Sequence, residues 1–279
     1  MRVPLPAARI MAANSRSVFM IKALAIIPLQ FEGAYCTARR MSQLPFQIIG
    51  FDLDGTLTAP GAIRFEGIRA RIGMPTSGSI LAWIAANARD QGERARMEAH
   101  VWEEERLALE RMELGLGFSA LARAIQTRGA SLKTAICTRN SGEALVAFDA
   151  LLRRSGFPPS AELFHVQIAR AHFSEHLQRE IENKPSHEPV HEIIRRWGLT
   201  QRFAPTIAHE HEVPRHTPVL FVGDDVDDCL SARRAGVRSG LIRHGSRAPE
   251  QPVFAKAVDR HFDDLSEVAA ALTHPPQSG

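Results

Sequence analysis

Phe46-Gln47-Ile48-Ile49-Gly50-Phe51-Asp52-Leu53-Asp54-Gly55-Thr56-Leu57-Thr58 runs from an apolar segment straight into two carboxylates separated by one residue. A short buried strand that ends in acids suits an open parallel sheet, because the crevice of such a sheet lies outside the carboxyl ends of its strands. The period of two in a strand sends Asp52 and Asp54 to the same side, so one is placed to attack and the other to handle a proton. Gly55 lets the chain turn away without a side chain blocking an approaching anion, and Thr56 is expected to hydrogen-bond local backbone and fix the turn. A calcium loop is the rival reading of Asp-x-Asp-Gly. It needs further oxygen ligands downstream, and residues 56–64 contain no acid.

Outward from this stretch, little strand character appears before residue 134. Helices are expected at 63–72, from a Ser79 cap through 80–84, at 94–114, and at 118–127. An apolar strand follows at 133–138, ending in Thr138, then a helix at 141–154 with Leu145, Phe148, Leu151 and Leu152 as its buried stripe. A short strand at 164–168 and a helix at 190–197 precede the second clear buried strand, Pro218-Val219-Leu220-Phe221-Val222-Gly223. A helix at 227–235, a last core strand at 237–243 and a closing helix at 265–272 complete the pattern. Strands alternating with helices imply an α/β fold with a Rossmann-like, doubly wound parallel sheet.

Asp-x-Asp-Gly-Thr after an apolar strand resembles the haloacid dehalogenase (HAD) superfamily of phosphatases, and three later segments match its other motifs in order. Thr138 is similar to the family's Ser/Thr that hydrogen-bonds the transferring phosphoryl group, with the amide of Arg139 assisting. Lys184, in Asn183-Lys184-Pro185, resembles the motif lysine that holds phosphate and offsets the charge of the nucleophile; His187 stands where the family often has a second proline. Gly223-Asp224-Asp225-Val226-Asp227-Asp228 resembles the acidic motif Gly-Asp-x-x-x-Asp. The resemblance covers residues 46–272. It implies Asp52 as nucleophile, Asp54 as general acid and base, and Mg2+ held by Asp52, the backbone carbonyl of Asp54, and Asp224. Asp228 would orient Lys184 or a metal-bound water.

The helices between the first two strands resemble an α-helical cap of the C1 type, which closes over small substrates. The expected organisation is therefore a leader or extension at 1–45, a core at 46–58 and 131–279, and a helical cap at 59–130. The activity implied is magnesium-dependent hydrolysis of a small phosphorylated metabolite through an aspartyl-phosphate, with phosphoglycolate phosphatase-like enzymes as the general comparison. A sugar phosphomutase of the β-phosphoglucomutase type shares every core residue. A catalytically silent binding protein of the same fold is the rival from another class, and it has no stability reason to crowd carboxylates.

Composition is consistent with such an enzyme. With 279 residues, 44% of them hydrophobic, the chain can bury a sizeable core. Its formal charge of +3 comes from residues 1–45, where six basic residues face Glu32 alone, and the rest of the chain is slightly acidic. No nucleic-acid footprint is expected in the body. No run of about 18 apolar residues is present, so no membrane span is expected. Cys36, Cys137 and Cys229 lack metal-ligand spacing and are read as reduced thiols of an intracellular protein. Residues 1–40 have the basic, acid-poor character of a mitochondrial transit peptide, or precede a start at Met41, in which case the enzyme is cytoplasmic. Eight of the twelve histidines lie between His165 and His216, including His209-Glu210-His211, without a zinc-ligand pattern, and are read as surface residues.

Overall fold

The structure is a computed structural model, and residues 46–75, 78–198, 217–244 and 257–273 are described. Expectations that fall on residues 1–45, Cys36, His209 and His211 lie outside them. Six parallel strands form one sheet in the order β3-β2-β1-β6-β7-β8. They are β1 (Ile48–Phe51), β2 (Lys133–Cys137), β3 (Val166–Ile168), β6 (Val219–Gly223), β7 (Arg238–Ile242) and β8 (Arg260–Phe262). A two-stranded hairpin, β4 (Phe173–Ser174) and β5 (Arg179–Glu180), leads into the loop that carries Lys184.

β1 lies in the middle of the sheet, with Ile49 paired to Thr134 of β2 on one side and to Leu220 of β6 on the other. A strand so placed is covered on both faces, and all four of its residues are buried. Alternation then sorts the apolar side chains into two layers. Ile49, Phe51, Leu220 and Val222 belong to one core cluster, whereas Ile48, Val219 and Phe221 belong to the other. The first layer is completed by α4 (Phe118–Arg128), α5 (Gly142–Arg154) and α9 (Leu265–Thr273). The second is completed by α7 (Glu188–Arg196) and α8 (Val226–Arg234). A one-turn helix, α6 (Ser160–Leu163), connects α5 to β3.

Among the described residues three helices precede α4, namely α1 (Phe65–Ile72), α2 (Ile80–Asn87) and α3 (Gln91–Glu110). Ser79 caps α2 by accepting from Ala82 N, as expected, and Asp90 caps α3 by accepting from Glu93 N at 2.8 Å. Their buried residues Ile68, Ile72, Ile80, Ile84, Val101 and Ala108 pack with one another in a cluster of their own. The fourth helix departs from the expected grouping of residues 59–130. Phe118, Leu121, Ala122 and Ile125 recur at i, i+3, i+4 and i+7, and all join the main core. The physical reason is topological: the parallel pair β1–β2 requires a crossover that packs back on the sheet, and α4 supplies it. The sheet also extends one strand beyond the expected last one, since β8 pairs with β7 through Leu241 and His261. No helix among the described residues is long and apolar enough to cross a membrane.

Candidate active site

The carboxyl ends of β1, β2 and β6 converge, as the crevice rule demands. Asp52 continues the β1 ladder by donating its N–H to Val222 O at 2.8 Å, then the chain enters a tight loop at Leu53–Leu57. Asp54 therefore sits in that loop and not on the strand, so loop geometry, not the strand period, sets its direction. Gly55 has φ +82°, and a Cβ on it would lie 2.3 Å from Asp224 Oδ2. Only glycine lets the two chain segments close to this distance. The hydroxyl that fixes the turn is Thr58, which donates to Leu53 O at 3.0 Å, and not Thr56, whose Oγ1 is buried without a partner among the described residues. His244, just past β7, donates from Nε2 to the Gly55 carbonyl.

Lys184 comes from the loop after β5 and is 4% exposed. Its ammonium donates to Asp52 Oδ1, to Asp228 Oδ1 at 2.5 Å and to Cys137 O at 3.0 Å. Burial alone would lower its pKa, but the carboxylates of Asp228 and Asp52 outweigh burial and hold it above the ordinary lysine range. Asp228 reaches Lys184 from the first turn of α8 past Gly223, where a Cβ would lie 2.2 Å from Asp228 Oδ2. The second Asp228 oxygen accepts Asp225 N at 3.1 Å, half of a capping box between Asp225 and Asp228, and the Asp225 side chain also accepts Asp227 N at 3.1 Å. Asp227, in the first turn of α8, binds Arg139 Nη1 at 2.7 Å.

Asp54 is held by a separate set of donors. Its Oδ2 accepts from Thr138 Oγ1 at 3.3 Å and from Asn140 Nδ2 at 3.2 Å, while Thr138 Oγ1 itself accepts Asn140 N at 2.9 Å. Burial raises the pKa of both acids. Asp52 is pushed up to about 7 by burial, opposed by Lys184, whereas burial of Asp54 is opposed first by its bond to Asn140. Burial, reinforced by the charges of Asp52 and Asp228, lifts Asp224 well above the ordinary carboxylate range.

Carboxylate oxygens of Asp52, Asp224 and Asp228 lie within 4.8 Å of one another. The donor set is all oxygen, which suits a hard divalent cation. Asp224 has no hydrogen-bond donor among the described residues, so a cation relieves it most. Asp228 meets the distance but already spends both oxygens on Lys184 and Asp225 N. A hard divalent cation thus fits the Asp52–Asp224 side of the cluster, with Asp228 engaged by the lysine.

The structure brings Asp52, Asp54, Thr138, Lys184, Asp224 and Asp228 together, with Arg139 beside them. Asn140, Arg170, Glu105 and His244 were missed in the sequence. Three of these follow the carboxyl ends of β2, β3 and β7, a position that flags crevice residues in any parallel sheet. Beside Asn140 opens a cavity of about 430 Å3, lined from α3 by Trp102, Glu105, Arg106 and Leu109 and from the sheet side by Arg170 and the start of α5.

The HAD-hydrolase-like family model matches residues 183–268, the stretch that carries Lys184, Asp224 and Asp228. An uncharacterized hydrolase of Saccharomyces cerevisiae is 28% identical over 222 residues, covering 78% of this chain and 87% of the yeast protein. Among solved structures, CbbY from Rhodobacter sphaeroides in complex with phosphate superposes with a TM-score of 0.52 at 20% identity, covering 81% of this chain and 99% of CbbY. A hydrolase from Pseudomonas syringae gives 0.57 at 16% identity, covering 81% and 96%. The family model marks residues 183–268 as similar to HAD-like hydrolases, and the sheet order and motif residues agree with that likeness.

Proposed function

We propose that this hydrolase is a magnesium-dependent phosphatase acting on a small phosphate monoester through an aspartyl-phosphate. One observation carries the proposal. Two neighbouring acids, Asp52 buried and Asp54 half-buried, are given opposite surroundings: Asp52 faces the Lys184 ammonium, and Asp54 faces the neutral donors Thr138 and Asn140. That division suits a nucleophile whose carboxylate form is favoured by a neighbouring cation and an acid able to carry a proton.

In the first half-reaction an Asp52 carboxylate oxygen attacks phosphorus, the ester P–O bond breaks, and Asp54 gives its proton to the departing alkoxide. In the second, Asp54 takes a proton from water as that water attacks phosphorus, and the bond to Asp52 breaks to release inorganic phosphate. Thr138, the Arg139 amide and Lys184 would bind the phosphoryl oxygens. The carboxylates of Asp52 and Asp224, with the Asp54 carbonyl that the family resemblance adds, would hold Mg2+, which when bound neutralises charge on the phosphoryl group and on the acids around it. The cavity of about 430 Å3 falls within the range of small-molecule sites. Helices α1–α3, which wall one side of it through α3, are assigned as the cap.

The test is a panel of phosphorylated metabolites and p-nitrophenyl phosphate, assayed with and without Mg2+ for release of inorganic phosphate. Wild type is expected to release phosphate only with Mg2+, and Asp52→Asn to lose at least about a thousandfold in kcat. An Asp52→Asn protein as active as wild type would reject the mechanism, and a rearranged phosphorylated product without free phosphate would show a mutase.

A further inference from the structure

Arg170, immediately past β3, grips three things at once. Its backbone N–H donates to Asn140 O at 2.9 Å, its Nε to Arg139 O at 2.7 Å and its Nη2 to Glu105 Oε1 at 2.5 Å. The first two partners belong to the loop after β2, whose Thr138 and Asn140 side chains hold Asp54. The third lies on α3. The side chains of Arg170 and Glu105 are 20% and 13% exposed, so this pair is shielded from screening.

Its position in the molecule is singular. Ion pairs Arg71–Glu103, Arg89–Glu93, Arg94–Glu98 and Arg111–Glu104 all stay within residues 71–111. Among the described residues, Glu105–Arg170 is the only ion pair that joins helices α1–α3 to the sheet. Glu105, Arg170 and Asn140 also line the same cavity, so a leaving group bound there lies against the joint.

We propose that Arg170 is a positioning residue that couples the seating of α3 to the placement of Asp54. With α3 seated, Glu105 fixes the guanidinium, the guanidinium fixes the carbonyl of Arg139, and the loop presents Thr138 and Asn140 to the acid. With α3 lifted, Arg170 loses its outer anchor and the loop loses its brace. A planar fork is needed, because an ammonium offers no second nitrogen to span Arg139 O and Glu105. This inference rests on the phosphatase reading, in which Asp54 protonates the leaving oxygen.

The experiment compares two esters in the full chain with Mg2+: p-nitrophenyl phosphate, whose leaving group departs without a proton, and an alkyl phosphate from the panel, whose leaving group needs one. Arg170→Ala, Arg170→Lys and Glu105→Gln are each expected to lower kcat on the alkyl ester about tenfold further than on the aryl ester. The Arg170→Ala, Glu105→Gln double variant should be no worse than the worse single, because both break one linkage. Should Arg170→Ala fail to fold, Arg170→Lys and Glu105→Gln carry the comparison. Equal losses on both esters, losses that multiply in the double variant, or a change in KM alone would overturn the coupling and leave the phosphatase reading standing. A wild type that hydrolyses neither ester overturns both.

Discussion

Lys184 concentrates the electrostatics of the site on one ammonium. It binds two carboxylates and a carbonyl in a place where it is 4% exposed, and its partners Asp52 and Asp228 are 7% and 1% exposed. Removing one member of a buried charge cluster strands the others. Lys184→Met is therefore expected to cost about 3–5 kcal/mol in urea unfolding without Mg2+, and Mg2+ should recover part of it by giving Asp52 another counter-charge. Gly55 makes a steric argument at the same scale. Gly55→Ala would force a Cβ to 2.3 Å from Asp224 Oδ2 on a backbone at φ +82°, so Asp224 must move. The expected outcome is a modest stability loss of about 1–2 kcal/mol with a much larger rise in the Mg2+ concentration needed for half-maximal activity, read by titrating activity against the metal. Equal Mg2+ requirements in variant and wild type would show that Gly55 does not set the position of Asp224.

At the scale of elements, helices α1–α3 bury a core of their own, apart from the cores on the two faces of the sheet. Phe118 of α4 meets Phe148 and Phe157 edge-on in the main core, whereas Ile84 of α2 is buried in a separate cluster drawn from residues 62–108. Phe118→Ala should lower the whole unfolding transition by about 3–5 kcal/mol. Ile84→Ala, a deletion of similar local cost, should speed amide exchange in α1–α3 while leaving the protection of β1, β2 and β6 near wild type, as hydrogen exchange would record. The same division explains what was legible in sequence. Strands β1 and β6 are unbroken apolar runs, β2 is one from Ala135 to Cys137, and a strand buried on both faces has no polar alternation to confuse it. β8 offers only Phe262 as a buried apolar residue beside exposed Arg260, so as an edge strand of three residues it carries almost no pattern. The role of α4 was hidden differently: its stripe was readable, but period alone does not say which core a stripe enters. In the site, Asp52, Asp54, Thr138, Lys184, Asp224 and Asp228 stand in motifs, and their neighbours Asn140 and Arg170 do not. Those two act through contacts with backbone and side chains that only folding creates.

For the molecule as a whole, crowded acids tie stability to both protons and metal. Burial, against the pull of Lys184, pushes the Asp52 carboxyl from its ordinary 3.8 up to about 7 in the folded chain. Between those values the native state holds a proton that the unfolded chain has released. The number of protons bound is then larger in the native state, so this group removes stability as pH rises from about 4 to 7. Asp224, raised for the same reason and by its acidic neighbours, works in the same direction. A divalent cation held there would compete with those protons for the same oxygens and would bind only the assembled site. Its stabilising effect must consequently grow as the protons leave. Thermal unfolding followed at fixed, saturating-at-neutral-pH Mg2+ should show a gain in Tm that is small at pH 5 and several degrees at pH 7.5, with the gain at pH 7.5 largely lost in Asp224→Asn. A metal-induced gain that is flat across that range, or one that survives intact in Asp224→Asn, would place the cation somewhere other than against Asp52 and Asp224.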